Sequence, residues 1–364
     1  MLDHRFVLPD LLKGLAVLMM IQVHITELFA VPSFYAGLAG KTSLFLGGVP
    51  AAPLFMAAMG FFIGYGRIKH NRPVETETSR VGKSVLRGIK LIGLGFLLNI
   101  GLNLHLFYKI YTGTFQLDPL PYLFGADILF MAGIAVIAIP IVMKVFRNSV
   151  IVLFAIALLF PVVSDLMPTY TGNSVFIKYL MAYIHSNEWW SYFPLFPWLA
   201  YPFLGAAIGR LHVDNHDALQ KSGKNALVFF AALIPFIIFA RVGFQVSSYL
   251  PEYYHHGIIF FFWAVSFMVI ITMGTYILLR YFTVNNIVIK YLAWTGKNVT
   301  AFYIIQWLII GNIATAIYKT QEPAALLIWF IGITIVVSAL AWLWGNRRLN
   351  QKLKVSDTSK HLPM

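Results

Sequence analysis

Four ionisable side chains interrupt an otherwise apolar stretch near the start of the chain. The stretch, PDLLKGLAVLMMIQVHITELF, covers residues 9–29 and carries Asp10, Lys13, His24 and Glu27. On a helix, which turns about 100° per residue, all four side chains fall within one arc of about 100°. A carboxylate, an ammonium and an imidazole on one face are the groups used for acid–base catalysis or for proton transfer across a membrane.

His24 is the strongest candidate for chemistry among the four. It lies about 16 Å along the helix from Lys13, which places it inside the membrane and in the outer half. An imidazole at that position is either a hydrogen-bonded core residue or a functional group. Asp10, Lys13 and Glu27 have a second interpretation, in which they lie at the membrane edges and snorkel or cap the helix.

The composition predicts an all-α, polytopic bundle of membrane helices. Hydrophobic residues make up 59% of the chain, charged residues only 11%, and the mean hydropathy is +0.75, whereas soluble domains have about 25% charged residues. The apolar runs are continuous and do not alternate, which argues against a β-barrel. The chain has no cysteine, which excludes disulfides and thiolate nucleophiles. No nucleic-acid-binding module appears.

Ten apolar runs are long enough to cross a membrane, for which a helix needs about 20 residues. The predicted spans are 8–30, 44–66, 86–106, 122–144, 149–166, 193–212, 223–244, 257–280, 298–319 and 323–345. They form one transmembrane domain over residues 1–345, followed by a polar tail over 346–364. With both termini in the cytoplasm, the outer side holds few lysines and arginines, as the positive-inside rule requires: Lys41, Lys109, Lys178, Arg241 and Lys319.

Two further polar residues are expected on the outer side with His24. Asp127 lies near the outer end of the fourth span, and His105 ends the third. A carboxylate next to an imidazole selects its tautomer and raises its basicity, so one interpretation pairs Asp127 with His24. In the other, Asp127 caps the fourth helix.

Polar and aromatic residues in the later spans also allow two interpretations. Asn298 and Gln306 lie within about 80° of each other on the ninth helix, where either could stabilise an oxyanion or bond a neighbouring helix. Trp198 either packs or lines a cavity beside the kink expected at Pro202. The spacing of Gly205 and Gly209 indicates close helix packing. His255 and His256 are adjacent, but no second ligand group is spaced to complete a metal site, so we expect no metal.

Several segments resemble those of a known family. DLLKGLAVLMMIQVH is similar to the first helix of the transmembrane acyltransferase superfamily, which includes the acyltransferase-3 proteins and the heparan-α-glucosaminide N-acetyltransferase type. In that helix a basic residue and a histidine are separated by ten others, as Lys13 and His24 are, although arginine is usual at the basic position. Further similar segments follow in family order: residues 50–67, 123–135 around Asp127, 193–210 and 294–306.

The resemblance implies a membrane-embedded acyltransferase, most specifically an acetyltransferase. The donor would be acetyl-CoA or a similar acyl-CoA from the cytoplasm, and the acceptor an amine or hydroxyl of a sugar or cell-envelope glycan at the outer side. His24 would be the general base or the acyl carrier. Four basic residues become candidates to bind the phosphates of coenzyme A: Lys13, Arg80, Lys83 and Arg87. For the last three, in the basic inner loop 67–90, the favoured interpretation is that the loop sets topology and contacts anionic lipid.

A proton-coupled secondary transporter, or a lipid or glycan flippase, is the competing function. Buried aspartate, histidine and glutamate serve such carriers too, but the chain shows no repeat of two halves. Membrane lipids and a second copy of the chain are further candidate partners. The compact chain of ten predicted spans fits a bacterial inner membrane.

Overall fold

All regular elements in the described part of the chain are helices. The structure, a computed structural model, describes residues 7–49, 51–66, 77–214, 222–281 and 286–360. The helices are α1 (Val7–Phe29), α2 (Pro32–Ala36), α3 (Leu38–Gly48), α4 (Ala52–Gly66), α5 (Glu77–Leu102), α6 (Leu104–Tyr111), α7 (Leu120–Leu123), α8 (Ile128–Val145), α9 (Val150–Leu166), α10 (Val175–Ile184), α11 (Leu195–Trp198), α12 (Ala200–Asp214), α13 (Ser222–Ile238), α14 (Ala240–Ser247), α15 (Leu250–Tyr254), α16 (Ile258–Tyr281), α17 (Ile287–Lys297), α18 (Val299–Ile317) and α19 (Pro323–Lys360). The predicted all-α class is confirmed.

Seven helical segments of the described chain are long and apolar enough to cross a membrane, or eight if the bent pair α13–α14 forms one span. The angle between α13 and α14 is 71°. Every one of the ten predicted spans overlaps a helix, but α9, with 17 residues, and α12, with 15, are short. The chain is therefore an integral membrane protein, while the count of ten and the cytoplasmic placement of both ends stay predictions.

Large apolar side chains cover the outer faces of several helices, as expected for contact with lipid. Leu97 on α5 is 66% exposed, Ile151 on α9 80% and Ile328 on α19 72%. The inner faces instead bury aromatic rings, including Trp198 and Trp263. Both the lipid-facing surface and the interior of the bundle are thus mostly apolar. Polar side chains in the interior are therefore exceptions that need a partner or a role.

Helix α1 packs against helices from both ends of the chain, among them α3, α17, α18 and α19. Glycines make the closest of these contacts. A Cβ on Gly14 would collide with the backbone carbonyl of Leu292 on α17, and one on Gly296 with the carbonyl of Asp10. A side chain at either glycine would separate α1 from α17, so this packing fixes the rotation of α1 and the direction of its polar face.

The Pro-rich segment breaks before Pro202 rather than at it. Helix α11 ends at Trp198 and α12 begins at Ala200, so Pro202 falls in the first turn of α12. Proline is tolerated there because the first helical N–H groups have no partner inside the helix. The kink expected at Pro202 is therefore wrong in position, and the break lies one turn earlier.

Helices α4 and α12 pack through small residues on both sides. A Cβ on Gly60 would meet the carbonyl of Pro202, and one on Gly205 would meet the carbonyl of Ala57. Gly209 lies equally close to the backbone of Phe61. The close packing expected from the spacing of Gly205 and Gly209 is confirmed.

Replacing Gly205 with valine tests this contact. The added side chain must push α4 away from α12, and overpacking of this kind costs about 1–3 kcal/mol. We expect Gly205→Val to lower the thermal unfolding midpoint in detergent by about 5 °C. The matched control is Gly274→Val, since a Cβ on Gly274 meets no atom within 4 Å. Equal midpoints for the two variants would contradict the packing described here.

Candidate active site

The N-terminal end of the polar face of α1 carries an ion pair. Lys13 Nζ lies 2.8 Å from Asp10 Oδ1, and Asp10 is only 3% exposed. The same ammonium stands 5.2 Å from the centre of the Phe62 ring. Asp10 therefore does not lie at a wet membrane edge, and its charge is balanced by Lys13 within the protein.

Further along the same face, His24 meets a set of polar groups without partners. Its imidazole stacks on Trp307 with ring centres 4.0 Å apart, and the amide of Gln306 faces it. Within the described part of the chain, His24 Nδ1, Trp307 Nε1 and both amide atoms of Gln306 are buried without a hydrogen-bond partner. We name these three residues the His24 cluster.

An unpartnered buried polar group is costly and rare. Gln306 is the extreme case, because it is 0% exposed and neither its donor nor its acceptor is used. Several such groups converging on one imidazole are what a binding site for a polar ligand requires. The cluster also offers the right chemistry, with an imidazole to accept a proton and amide and indole N–H groups to donate to an oxyanion.

Asp127 is the N-cap of α8 and also accepts a bond from another helix. Its Oδ1 accepts from Leu129 N at 2.6 Å, and its Oδ2 accepts from the Tyr303 hydroxyl at 2.7 Å. Asn99 Nδ2 donates to the carbonyl of Gly125 at 2.9 Å and so holds the preceding loop. The contacts of Asp127 are therefore those of a helix cap and of an acceptor for Tyr303.

Helix α18 joins Asp127 to the His24 cluster. Tyr303, Gln306 and Trp307 are spaced as one turn, so their side chains share one face of α18. Tyr303 binds Asp127 at one end of this turn, and Trp307 stacks on His24 at the other. A coupling of Asp127 to His24 stays a prediction, and it would run through these residues of α18.

The family model described as heparan-alpha-glucosaminide N-acetyltransferase, catalytic, matches residues 5–237, which is more than half of the chain of 364 residues. The chain belongs to this family. The predicted membership is confirmed, and with it the general class of membrane N-acetyltransferases. Comparisons with curated proteins and with solved structures found no match.

The part matched by the acetyltransferase family contains some members of the site and not others. Lys13, His24 and Asp127 fall within residues 5–237, whereas α18 lies beyond them. The contacts of α18 with His24 and Asp127 therefore come from outside the matched segment.

Three other candidates have structural contacts away from the His24 cluster. Trp198 is fully buried, and its Nε1 donates to the carbonyl of Tyr254 at 2.8 Å. Asn298 Nδ2 donates to the carbonyl of Trp294 at 2.9 Å, at the junction of α17 and α18. His105 N donates to Asn312 Oδ1 at 2.8 Å and joins α6 to α18. These contacts hold helices together, and a role for any of the three in binding stays a prediction.

The basic candidates on α5 lie on its exposed face. Lys83 and Arg87 are exposed and share that face with Leu86, which is 55% exposed. The opposite face, at Gly88, packs against α8. Arg80 belongs to the first turns of α5, and its side chain lies outside the described residues. Binding of the phosphates of acetyl-CoA by Arg80, Lys83 and Arg87 stays a prediction.

His255 and His256 have surroundings of their own, near the start of α16. Burial, with a smaller contribution from the neighbouring His185, lowers the pKa of His255 to about 4. His256 Nε2 forms a hydrogen bond of 2.8 Å with the Tyr201 hydroxyl. Burial lowers the pKa of His256 to about 3. These imidazoles are therefore neutral at pH 7. In the portion of the chain that is described, no group of three histidine, aspartate or glutamate side chains could hold a metal ion.

Tyr303 and Trp307 are site residues that the sequence analysis missed. Their signal is the spacing of Tyr303, Gln306 and Trp307, which places two aromatic rings and an amide on one helix face. Only the amide is conspicuous in the sequence, because aromatic residues are common throughout this chain, at 16%.

A double-variant cycle tests the bond between Asp127 and Tyr303. Asp127→Asn keeps an oxygen for the Leu129 N–H but loses the charge that strengthens the bond from Tyr303, and Tyr303→Phe removes the donor. We expect the double variant to lose about 1 kcal/mol less unfolding free energy than the sum of the two single losses. Denaturant unfolding in detergent measures all three losses. The control, Tyr291→Phe, removes a hydroxyl that bonds Ser338 instead and should add fully to Asp127→Asn. Full additivity with Tyr303→Phe would contradict the bond.

Proposed function

We propose that this protein transfers an acetyl group from acetyl-CoA, taken from the cytoplasm, to an amine or hydroxyl of a sugar or cell-envelope glycan at the outer side of a bacterial inner membrane. The observation that carries the proposal is the meeting of His24, whose Nδ1 has no hydrogen-bond partner among the described residues, with the buried amide of Gln306. Membership of the N-acetyltransferase family supports the reaction class.

In the proposed reaction, His24 is the general base. It takes the proton of the acceptor as the acceptor's nitrogen or oxygen attacks the thioester carbonyl carbon. The carbonyl oxygen gains negative charge, which the N–H groups of Gln306 and Trp307 would stabilise. The carbon–sulfur bond then breaks, and the proton on His24 passes to the CoA thiolate. An acyl-histidine formed on the same ring is the alternative route.

The remaining residues of the site serve position and binding in this proposal. Asp127 acts through Tyr303, which orders the turn of α18 that carries Gln306 and Trp307. Lys13 lies on the same face as His24 and toward the cytoplasm, where it would attract the phosphates of the donor. Arg80, Lys83 and Arg87 would extend that attraction along α5.

The direct test follows CoA release by the purified protein in detergent, with acetyl-CoA and candidate amino sugars. We expect His24→Gln to lower turnover by about 10²–10⁴-fold, which is the usual contribution of a general base. The matched control is Gln22→Met, since Gln22 lies two residues away on the opposite face and bonds Thr26 and Ser43.

Undiminished CoA release by His24→Gln would overturn the role of His24. Gln22→Met should retain turnover, and gel filtration should show that both variants fold. Proton-driven transport of a substrate into liposomes without any acyl donor would instead favour the competing carrier function.

A further inference from the structure

Glu27 is a carboxylate of the polar face of α1 that the proposed reaction leaves unused. It lies three residues beyond His24, about 4.5 Å further along the helix and turned by about 60°. Its side chain is partly buried. Among the described residues, no ion pair includes Glu27. No hydrogen bond among them ends on its carboxylate oxygens.

The nearest balancing charge acts from a distance. Lys319 attracts the carboxylate of Glu27, but its ammonium rests over two rings, 5.4 Å from the centre of Tyr35 and 5.2 Å from that of Tyr318. The backbone N–H of Lys319 donates to the carbonyl of Leu28 at 2.9 Å, which sets the main chain of Lys319 beside the residue that follows Glu27. Since no hydrogen bond or ion pair among the described residues uses the oxygens of Glu27, they are open to another partner. Lys319 also shows that the aromatic faces here accept an ammonium ion.

Tyrosines from three separate segments lie within electrostatic range of Glu27. The negative charge of Glu27 reaches the hydroxyls of Tyr35, Tyr192 and Tyr254, which belong to α2, to the loop before α11 and to α15. The rings of Tyr192 and Tyr254 meet edge to face with centres 5.4 Å apart. All three side chains are partly buried. We name Glu27, Tyr35, Tyr192, Tyr254 and Lys319 the Glu27 vestibule.

The Glu27 vestibule adjoins the residues proposed for the reaction. The charges of both Asp127 and Glu27 act on the hydroxyl of Tyr192. Tyr254 lies close enough to Tyr303 for their hydroxyls to interact electrostatically. A molecule held against Glu27 is thus about one helix turn from His24 along α1.

A carboxylate set among aromatic faces has a clear preference between ligands. A protonated amine gains both the ion pair and the attraction of the ring faces, which strengthens as water is excluded. A neutral hydroxyl gains one hydrogen bond and leaves Glu27 with only the more distant charge of Lys319 to balance it. The vestibule therefore favours a cationic ligand.

We propose that Glu27 determines acceptor specificity by binding the acceptor as a protonated amine and removing its first proton. This rests on the proposed function. One N–H bond of the ammonium breaks, and its proton moves to the carboxylate of Glu27 and then to outer water. The freed lone pair attacks the thioester carbon, the second proton moves to His24, and the thiolate that leaves takes that proton from His24.

The test compares matched acceptors, glucosamine against glucose and 2-aminoethanol against ethylene glycol, for the wild-type protein, Glu27→Gln and Glu27→Asp. We expect Glu27→Gln to lower kcat/KM for the amines by about 100-fold, as when one partner of a buried charge pair is removed, and to abolish the preference over the alcohols. The KM for acetyl-CoA should not change. Glu27→Asp, which keeps the charge, should recover part of the loss, and the exposed-site control Glu252→Gln should match the wild type.

The outcomes separate this inference from the proposed function. If the wild-type protein acetylates amines and depends on His24, but Glu27→Gln keeps its amine preference, then only the role of Glu27 is wrong. A preference of the wild-type protein for the alcohols over the amines would also overturn the role of Glu27. If no member of either pair releases CoA with the wild-type protein, the proposed function fails and this inference fails with it. An unchanged KM for acetyl-CoA also shows that Glu27→Gln has folded.

Discussion

A polar side chain inside a membrane bundle has little water to bond, so it must find a partner within the protein or face a wet site. Most polar groups in this chain obey that constraint locally. Ser266 and Thr272 donate to carbonyls one turn back on their own helix, and Ser43 donates to Thr26 across two helices at 2.7 Å. Single buried polar atoms elsewhere, such as Ser164 Oγ and Trp263 Nε1, also lack a partner, but the His24 cluster brings three such residues together. The account of function follows from that concentration.

The fold holds the cluster in place through contacts that carry no chemistry. Gly14 and Gly296 set α1 against α17, and the bond from Tyr303 to Asp127 sets α18 against the start of α8. Rigid helices rather than loops therefore position His24, which is the arrangement that a precise reacting group needs. The ion pair of Asp10 with Lys13 balances the charge at the inner end of the same face.

Composition and periodicity were enough to predict the bundle and the polar face of α1, because both are properties of single segments. The small-residue contact at Gly205 and Gly209 was predictable for the same reason. The partner of Asp127 was not, since Tyr303 is 176 residues away in sequence and no pattern within one helix pairs them. The break before Pro202 was misplaced because proline is compatible with a first turn as well as with a kink.

The location of the His24 cluster beside α18 also required the structure. A helical face predicts which residues of α1 share a direction, but not which helix meets them. Gln306 was selected for its amide and Glu27 for its charge, whereas the tyrosines around Glu27 come from segments that only folding brings together. The sequence therefore identified reactive groups, and the structure supplied their neighbours.

The central claim is that His24 lies in a water-filled site, and cysteine labelling tests it most directly. The chain has no cysteine, so His24→Cys would be its one thiol, and only a hydrated thiolate reacts quickly. We predict that a charged, membrane-impermeant thiol reagent labels His24→Cys from the outer side, and that acetyl-CoA supplied inside slows the labelling. Ile21→Cys, at a fully buried position of α1, should stay unlabelled. Labelling of His24→Cys as slow as that of Ile21→Cys would contradict the account.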